Sequence, residues 1–426
     1  MSTTTPQKEN IGAVAADLQD ERLLQSQGFG GRVKAELGRL RGGDLGSLPV
    51  VVGLIVIWIV FQSLNSNFLS PGNLVNLLLQ SAAVGTISVG IVLVLLLGEI
   101  DLSVGSVSGV SAAMLAVGFV NHGWPIAVAI VAAIAAGAVI GLFYGLLYTR
   151  FGVPSFVITL AGLLGFLGLQ LWILGADGSI NIPFDSWFVR FCQQMFLTPV
   201  ASYIIAAAAT VVYVLASLAR RNQRAKAGLS AQSFVEIGVR AGLALVVACV
   251  AIAYLNSGEG RTQGRGIGYM VVLFVAIVVL MNLVLRRTRW GRSVFAVGGN
   301  VEAARRAGIK VNRVFISVFV LCSSLAAVGG LLAAGRIANA NQSSGTGDTN
   351  LNAIAAAVIG GTSLFGGRGS AYSALLGILV IQSISSGLNL LNLDSSVRYM
   401  ITGAVLLLAV IIDSVSRRSR KSAGRG

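Results

Sequence analysis

Few residue types in this chain can do chemistry, and their scarcity narrows its role. The one histidine, His122, and the three cysteines, Cys192, Cys249 and Cys322, are too scattered for a Cys/His metal cluster, a CxxC motif or a disulfide framework. A phosphate-cradling loop needs a glycine-rich turn ending in Gly-Lys-Ser/Thr, and no Gly-Lys pair occurs anywhere in the sequence. No metal, cofactor or nucleotide site of the usual kind is therefore expected. Ionisable groups inside apolar stretches are expensive and usually functional. Only Glu99, Asp101 and the pair Glu236 and Arg240 qualify, the pair being spaced i, i+4 as an interfacial ion pair would be.

Three polar segments interrupt long apolar sequence. In the first, Gly98 to Ser106 reads GEIDLSVGS, with Glu99, Asp101 and Ser103 as its polar side chains. Two readings stay open: a hairpin in which Asp101 caps the next helix, or a discontinuous helix whose polar break lies deeper and shapes a pathway. Gly105 and Gly109 have the spacing that permits close helix contact on either reading. The second segment, Arg286 to Arg313, holds eight basic residues and one acid. Asn300 is placed to cap a short helix over Val301 to Ala307, Ala303 and Ala304 to give it a smooth face, and Gly308 to stop it. Such a helix suits docking into a groove of a partner. The third runs from Gly345 to Ser370. Its short apolar stretch, Leu351 to Phe365, contains Asn352 and ends on Gly360, Gly361, Thr362 and Ser363, which reads as a half-length, re-entrant helix.

The elements that must hold these segments are membrane helices. Of the 426 residues 55% are apolar and only 11% charged, with a mean hydropathy of +0.82, whereas soluble domains carry roughly 25% charge. Eleven runs are long enough to span: 48–64, 74–97, 102–120, 124–148, 153–174, 201–219, 235–255, 267–285, 314–335, 371–391 and 397–415. The expected fold is an all-α polytopic membrane protein of about 11–12 hydrophobic segments, with a polar tail over 1–46, a membrane domain over 47–416 and a basic tail over 417–426. With both termini cytoplasmic, every one of the 31 basic residues except Arg190, Arg240, Arg261, Arg265, Arg336 and Arg398 falls inside. The positive-inside rule thus absorbs the +15 net charge, and nucleic-acid binding loses its support.

Taken in order, Gly98 to Ser106, Gly291 to Ile309 and Gly345 to Gly369 resemble the signature segments of permease subunits of ribose- and xylose-type ABC sugar importers. The resemblance runs with gaps from about Asn67 to the C-terminus. A pair of spans between about Ala201 and Gly266, together with Glu99 before the aspartate, is similar to the xylose and multiple-monosaccharide branch. The resemblance implies a plasma-membrane subunit of a prokaryote that moves a monosaccharide, with xylose favoured. Its implied partners are a cytoplasmic ATPase subunit, an extracytoplasmic sugar-binding protein and a second permease, either an identical copy or a sister chain. Gly291, Arg292, Gly298, Asn300, Glu302, Ala303, Ala304 and Gly308 would form the element that meets the ATPase. Gln80, Glu99, Asp101, Ser103, Asn352, Gly360, Gly361, Thr362 and Ser363 would line or gate the route. The rival readings are an ion-coupled secondary transporter with Glu99 and Asp101 as ion ligands, and an intramembrane enzyme using Asp177 and Asp185.

Overall fold

The computed structural model describes residues 48–227, 231–258 and 266–394, with scattered positions between 396 and 411. The two tails and most of the last expected span lie outside the described residues. In chain order the helices are α1 (Leu48–Leu64), α2 (Pro71–Leu96), α3 (Val104–Ala116), α4 (Ile126–Phe151), α5 (Ser155–Leu174), α6 (Trp187–Gln193), α7 (Pro199–Lys226), α8 (Phe234–Asn256), α9 (Tyr269–Arg287), α10 (Arg289–Gly299), α11 (Val301–Arg306), α12 (Val311–Ile337), α13 (Asp348–Ile359) and α14 (Ala371–Leu390). Among the described residues, nine helices are long and apolar enough to cross a membrane. The protein is an all-α polytopic membrane protein.

Two compact units divide the described residues. One is Thr198–Tyr254, holding most of α7 and α8; the rest of the described chain forms the other. In the smaller unit Arg221 stacks over the Phe234 ring at 3.6 Å and donates to the Gln232 carbonyl at 3.1 Å. Arg240 pairs with Glu236 at 2.9 Å, the i, i+4 contact that their spacing predicts.

The larger unit is built around α12, which packs on α2, α3 and α4. Gly137, Gly141 and Gly145, four residues apart on α4, lie directly on the α12 backbone. A Cβ at Gly141 would stand 2.3 Å from the Phe319 carbonyl oxygen, so this stripe of small residues lets two backbones meet. In α2, 78% of the spanning window is enclosed by protein, against 28% in α5, which places α2 inside the bundle and α5 at its rim. One end of the unit holds α10, α11, the end of α4 and the start of α12, joined by the Tyr148 and Phe315 rings at 4.6 Å and by Trp290 Nε1 donating to Ser317 Oγ at 2.8 Å. At the other end β1 (Ser179–Asn181) pairs antiparallel with β2 (Asn339–Asn341), Ile180 facing Ala340. There α6 packs Cys192 against Gly335; burial pushes the thiol up to about 12, so it acts as a small apolar group.

The elements follow local rules. Ser70 caps α2 ahead of Pro71, and Gly152 ends α4 in the left-handed region. The short third-segment helix starts at Asp348 and stops at Ile359, earlier at both ends than the expected Leu351 to Phe365. Its 12 residues reach about 18 Å, well short of a bilayer core. The stretch from Gly360 to Ser370 is loop, because Gly361, Gly366 and Gly367 take φ of 101°, 85° and 72°.

Candidate functional site

The polar break after α2 is extended chain laid along α5. Gly98, with φ 82°, turns the backbone out of α2. Beyond it the Ile100 N–H donates to Ser155 Oγ at 3.4 Å, the Leu102 N–H to Thr159 Oγ1 at 3.1 Å, and Ser106 Oγ to the Leu163 carbonyl at 2.7 Å. Ile100 and Leu102 thus step along α5 from Ser155 to Thr159, about 6 Å of helix, and Ser106 in the first turn of α3 carries the contact on to Leu163. The break runs into the bundle instead of turning at its end, the geometry of a discontinuous helix. On the other side α13 closes over it, with Asn350 Nδ2 donating to the Leu102 carbonyl.

Side chains replace the helical hydrogen bonds that this extended path forgoes. Glu99, half-buried, accepts from the Tyr148 hydroxyl at 2.6 Å and from Ser155 Oγ at 2.5 Å, tying the end of α2 to α4 and α5. Asp101 does not cap α3, the role that the hairpin reading gave it. Ser103 is the N-cap residue, and its own hydroxyl makes no capping bond. The reason is that Asp101 Oδ1 already accepts both the Ser103 N–H at 2.8 Å and Ser103 Oγ at 2.7 Å, an Asx-type turn. Its Oδ2 lies 3.8 Å from Cys322 Sγ of α12. Asp101→Ala would orphan two donors in a site 1% exposed, and an unmade buried hydrogen bond costs roughly 1–3 kcal/mol. We predict that this variant melts in detergent well below Asp101→Asn, which keeps an acceptor oxygen; equal melting temperatures would refute the role.

The three polar segments converge at one point. In α10 the backbone of Gly298 rests on the last turn of α2: a Cβ there would stand 1.8 Å from the Leu96 carbonyl oxygen and 2.9 Å from the Gly367 nitrogen. The Gly367 N–H donates to that same Leu96 carbonyl at 2.9 Å. A Cβ at Gly366 would meet the Gly298 oxygen at 2.6 Å and the Gly98 nitrogen at 3.0 Å. Backbone thus touches backbone at Gly98, Gly298 and Gly366, with no side chain between to absorb a displacement. Gly291 serves the same end of the unit. The Thr288 hydroxyl accepts its N–H at 3.1 Å, and its Cα packs on the Leu285 carbonyl.

Asn300 ends α10 and caps α11, its Oδ1 accepting from the Ala303 N–H at 2.9 Å. Gly308 ends the turn after α11 at φ 81°, the stop that its position predicts. The outward face of α11 differs from the expected one in one residue. Glu302, Ala303, Arg305 and Arg306 are exposed, but Ala304 is 4% exposed and packs into the unit. Ala304, about 100° round the helix from Ala303, falls on the side turned toward the unit. Glu302 pairs with Arg305 at 2.7 Å, and Arg292 is exposed on α10.

Toward the opposite end a cavity of about 240 Å³ opens between α2, α3, α12 and the chain leading into α13. Its polar lining includes Gln80, Ser108, Arg336, Ser343, Thr349 and Gln382. Of the four polar side chains expected to share a route, Gln80 lines this cavity, whereas Asn352, Thr362 and Ser363 lie elsewhere, buried on α13 and its loop. Asn350 Oδ1, Asn352 Oδ1 and Thr362 Oγ1 have no hydrogen-bond partner among the described residues. Gln382 and Arg336 escaped sequence reasoning. A lone glutamine inside an apolar span was the available signal for the first. Asp177 and Asp185 belong to no cluster of three metal-ligating side chains among the described residues.

A family model described as branched-chain amino acid transport system / permease component matches residues 73–410. The chain is 32% identical over 381 residues to the xylose transport system permease protein of Haemophilus influenzae, covering 89% of this chain and 99% of the relative. It is 33% identical over 380 residues to the Escherichia coli K12 protein of the same name, covering 89% and 94%. The ribose import permease protein of Bacillus subtilis is 32% identical over 371 residues, covering 87% and 94%. No solved structure matches the chain.

Proposed function

Because the chain belongs to the permease-component family of branched-chain amino acid transport systems, we propose that it is the membrane-spanning subunit of an ABC importer for a monosaccharide, with xylose the favoured substrate. The xylose and ribose permeases among its relatives support the substrate class. The single observation that carries the mechanism is the backbone junction at Gly98, Gly298 and Gly366. In this reading a cytoplasmic ATPase subunit docks on the exposed face of α11, and its movement passes through α10 into the end of α2 and the loop after α13. Those elements border the polar break and so set its path. No ATP site is needed in the chain itself.

The end bearing α10 and α11 faces the cytoplasm, in keeping with its arginines. An extracytoplasmic binding protein delivers sugar at the opposite end, and a second copy of the chain or a sister permease completes the pathway. The acidic residues of the break accept from the chain's own groups, Glu99 through both oxygens from hydroxyls and Asp101 through Oδ1 from Ser103 and Oδ2 from the Cys322 thiol, which supports structural roles over ion ligation.

Reconstitution with an ATPase subunit and a sugar-binding subunit in liposomes tests the proposal. ATP-dependent uptake of D-xylose or D-ribose is expected; uptake by the chain alone, driven by an ion gradient and indifferent to ATP, would support the ion-coupled rival instead. The docking face makes a separate prediction. Ala303→Trp adds bulk to an exposed position, so the permease should keep its melting temperature while its recovery with the ATPase subunit falls at least tenfold. Unchanged co-purification would move the docking site elsewhere.

A further inference from the structure

The cavity at the opposite end holds polar groups that the fold leaves unused. Gln382 on α14 is 6% exposed, yet neither its amide nor that of Gln80 on α2 has a hydrogen-bond partner among the described residues. Their amides border the cavity, so water or a ligand there can complete the bonds that the fold leaves unmade. Here two amides from facing helices line one cavity, and the Thr349 side chain, which also makes no hydrogen bond to a described residue, joins them from the start of α13.

Resting on the reading of the chain as a sugar permease, we propose that this cavity is a resident sugar-binding subsite, in which Gln80 and Gln382 hold the hydroxyls of one neutral monosaccharide inside the permease itself. Each amide presents a carbonyl acceptor and an N–H₂ donor, and a hydroxyl uses both, being donor and acceptor at once. A carboxylate or phosphate could use only the donors and would leave both amide oxygens unpaired. Among the described lining residues the one charged side chain is Arg336, whose Nη1 donates to Asn76 Oδ1 at 3.1 Å. No acidic residue is among the described lining residues, so no carboxylate among them would hold a cation. The volume of about 240 Å³ lies below the roughly 300–1,000 Å³ of sites for drug-sized ligands, which suits one small polar ring. Its apolar wall, including Ile87 and Ala112, offers the faces that a sugar ring's C–H groups pack on.

The position gives the subsite its use. Gln80 and Ile87 lie on the same helix, α2, whose far end is Leu96, and Thr349 lies on α13, whose following loop contains Gly366 and Gly367. Two walls of the cavity are therefore the outer parts of the very elements that meet α10. A displacement of those elements would change the spacing between Gln80, Thr349 and Gln382 and release what they hold.

The test is direct binding to the full chain in lipid nanodiscs without partners, read by saturation-transfer NMR with D-xylose as the probe and D-xylonate as its anionic counterpart. Transfer from the wild-type chain to D-xylose is expected, reduced at least tenfold for D-xylonate and for the double variant Gln80→Leu, Gln382→Leu. Where that variant is not monodisperse, Gln80→Asn with Gln382→Asn, each shortened by one methylene, takes its place and should also lose transfer. No transfer from the wild-type chain, equal transfer to the acid, or undiminished transfer in both double variants would overturn the subsite. Uptake by the reconstituted assembly separates the two levels. If the wild type imports no sugar, the transport reading fails. If the wild type imports and a double variant stays within twofold of it, only the subsite fails.

Discussion

One methyl group at Gly298 is expected to abolish sugar uptake by the assembled importer while leaving the permease folded. The Cβ of Gly298→Ala would stand 1.8 Å from the Leu96 carbonyl oxygen and 2.9 Å from the Gly367 nitrogen. Neither atom belongs to a side chain that can swing aside. To regain ordinary contact near 3.5 Å, α10 must withdraw by roughly 1.5 Å, which also pulls it from Gly366. Withdrawal is feasible because α10 carries several exposed residues at one end of the unit, but it loosens the buried Val294 and Val297, so the permease should stay folded with a lower melting temperature. The link between α10 and the break should be lost with it. In proteoliposomes we expect ATP hydrolysis to continue while uptake per ATP falls at least tenfold. Uptake within twofold of wild type would sink the junction as the route of coupling.

The second large effect is on folding. A Cβ at Gly377 of α14 would stand 1.7 Å from the Ala356 carbonyl oxygen of α13, and one at Gly360 would stand 1.8 Å from the Ser373 oxygen. The two helices thus meet backbone to backbone at two levels. Unlike α10, α14 has nowhere to retreat, since it packs on α1, α2 and α9 as well. Overpacking usually costs about 1–3 kcal/mol, and more where the neighbours cannot yield. Gly377→Val should therefore give little or no monodisperse protein in detergent. Gly165→Val and Gly168→Val, on exposed positions of α5 with no atom within 4 Å of an added Cβ, are the controls and should behave as wild type. Comparable yields from Gly377→Val and the controls would contradict the packing.

The membrane helices were legible because each needs about 20 apolar residues, and the described ones begin and end within a few positions of the apolar runs, except that α7 extends to Lys226. Local punctuation was equally readable: Asn300 caps α11 and Gly308 ends it as their types dictate. What stayed hidden depends on partners distant in sequence. The break from Glu99 to Ser103 was visible as polarity, but its inward path is set by Ser155, Thr159 and Asn350. α10 was unrecognised because it is basic and glycine-bearing, so its packing rather than its composition makes it a helix. The pairing of Ser179 with Asn341 has no local signature at all. For the site, the segments were identifiable, yet nothing in their spacing says that Gly98, Gly298 and Gly366 touch. Gln382 was one more polar residue in an apolar run until the cavity gave it a direction.

The chain that precedes α7 and the chain that follows α8 are clasped to each other. The Leu197 N–H donates to the Ile267 carbonyl at 2.9 Å, the Tyr269 N–H to the Met195 carbonyl at 2.9 Å, and Phe196 bridges to Gly268. Everything between leaves and returns through neighbouring doorposts, so its removal would leave ends already within joining distance, with almost no loop to close. Two crossings also cancel: with or without them, α9 begins on the same side of the membrane. Length in this region can therefore be gained or shed by parity-preserving insertion, a modular freedom that the glycine-packed remainder of the protein does not have.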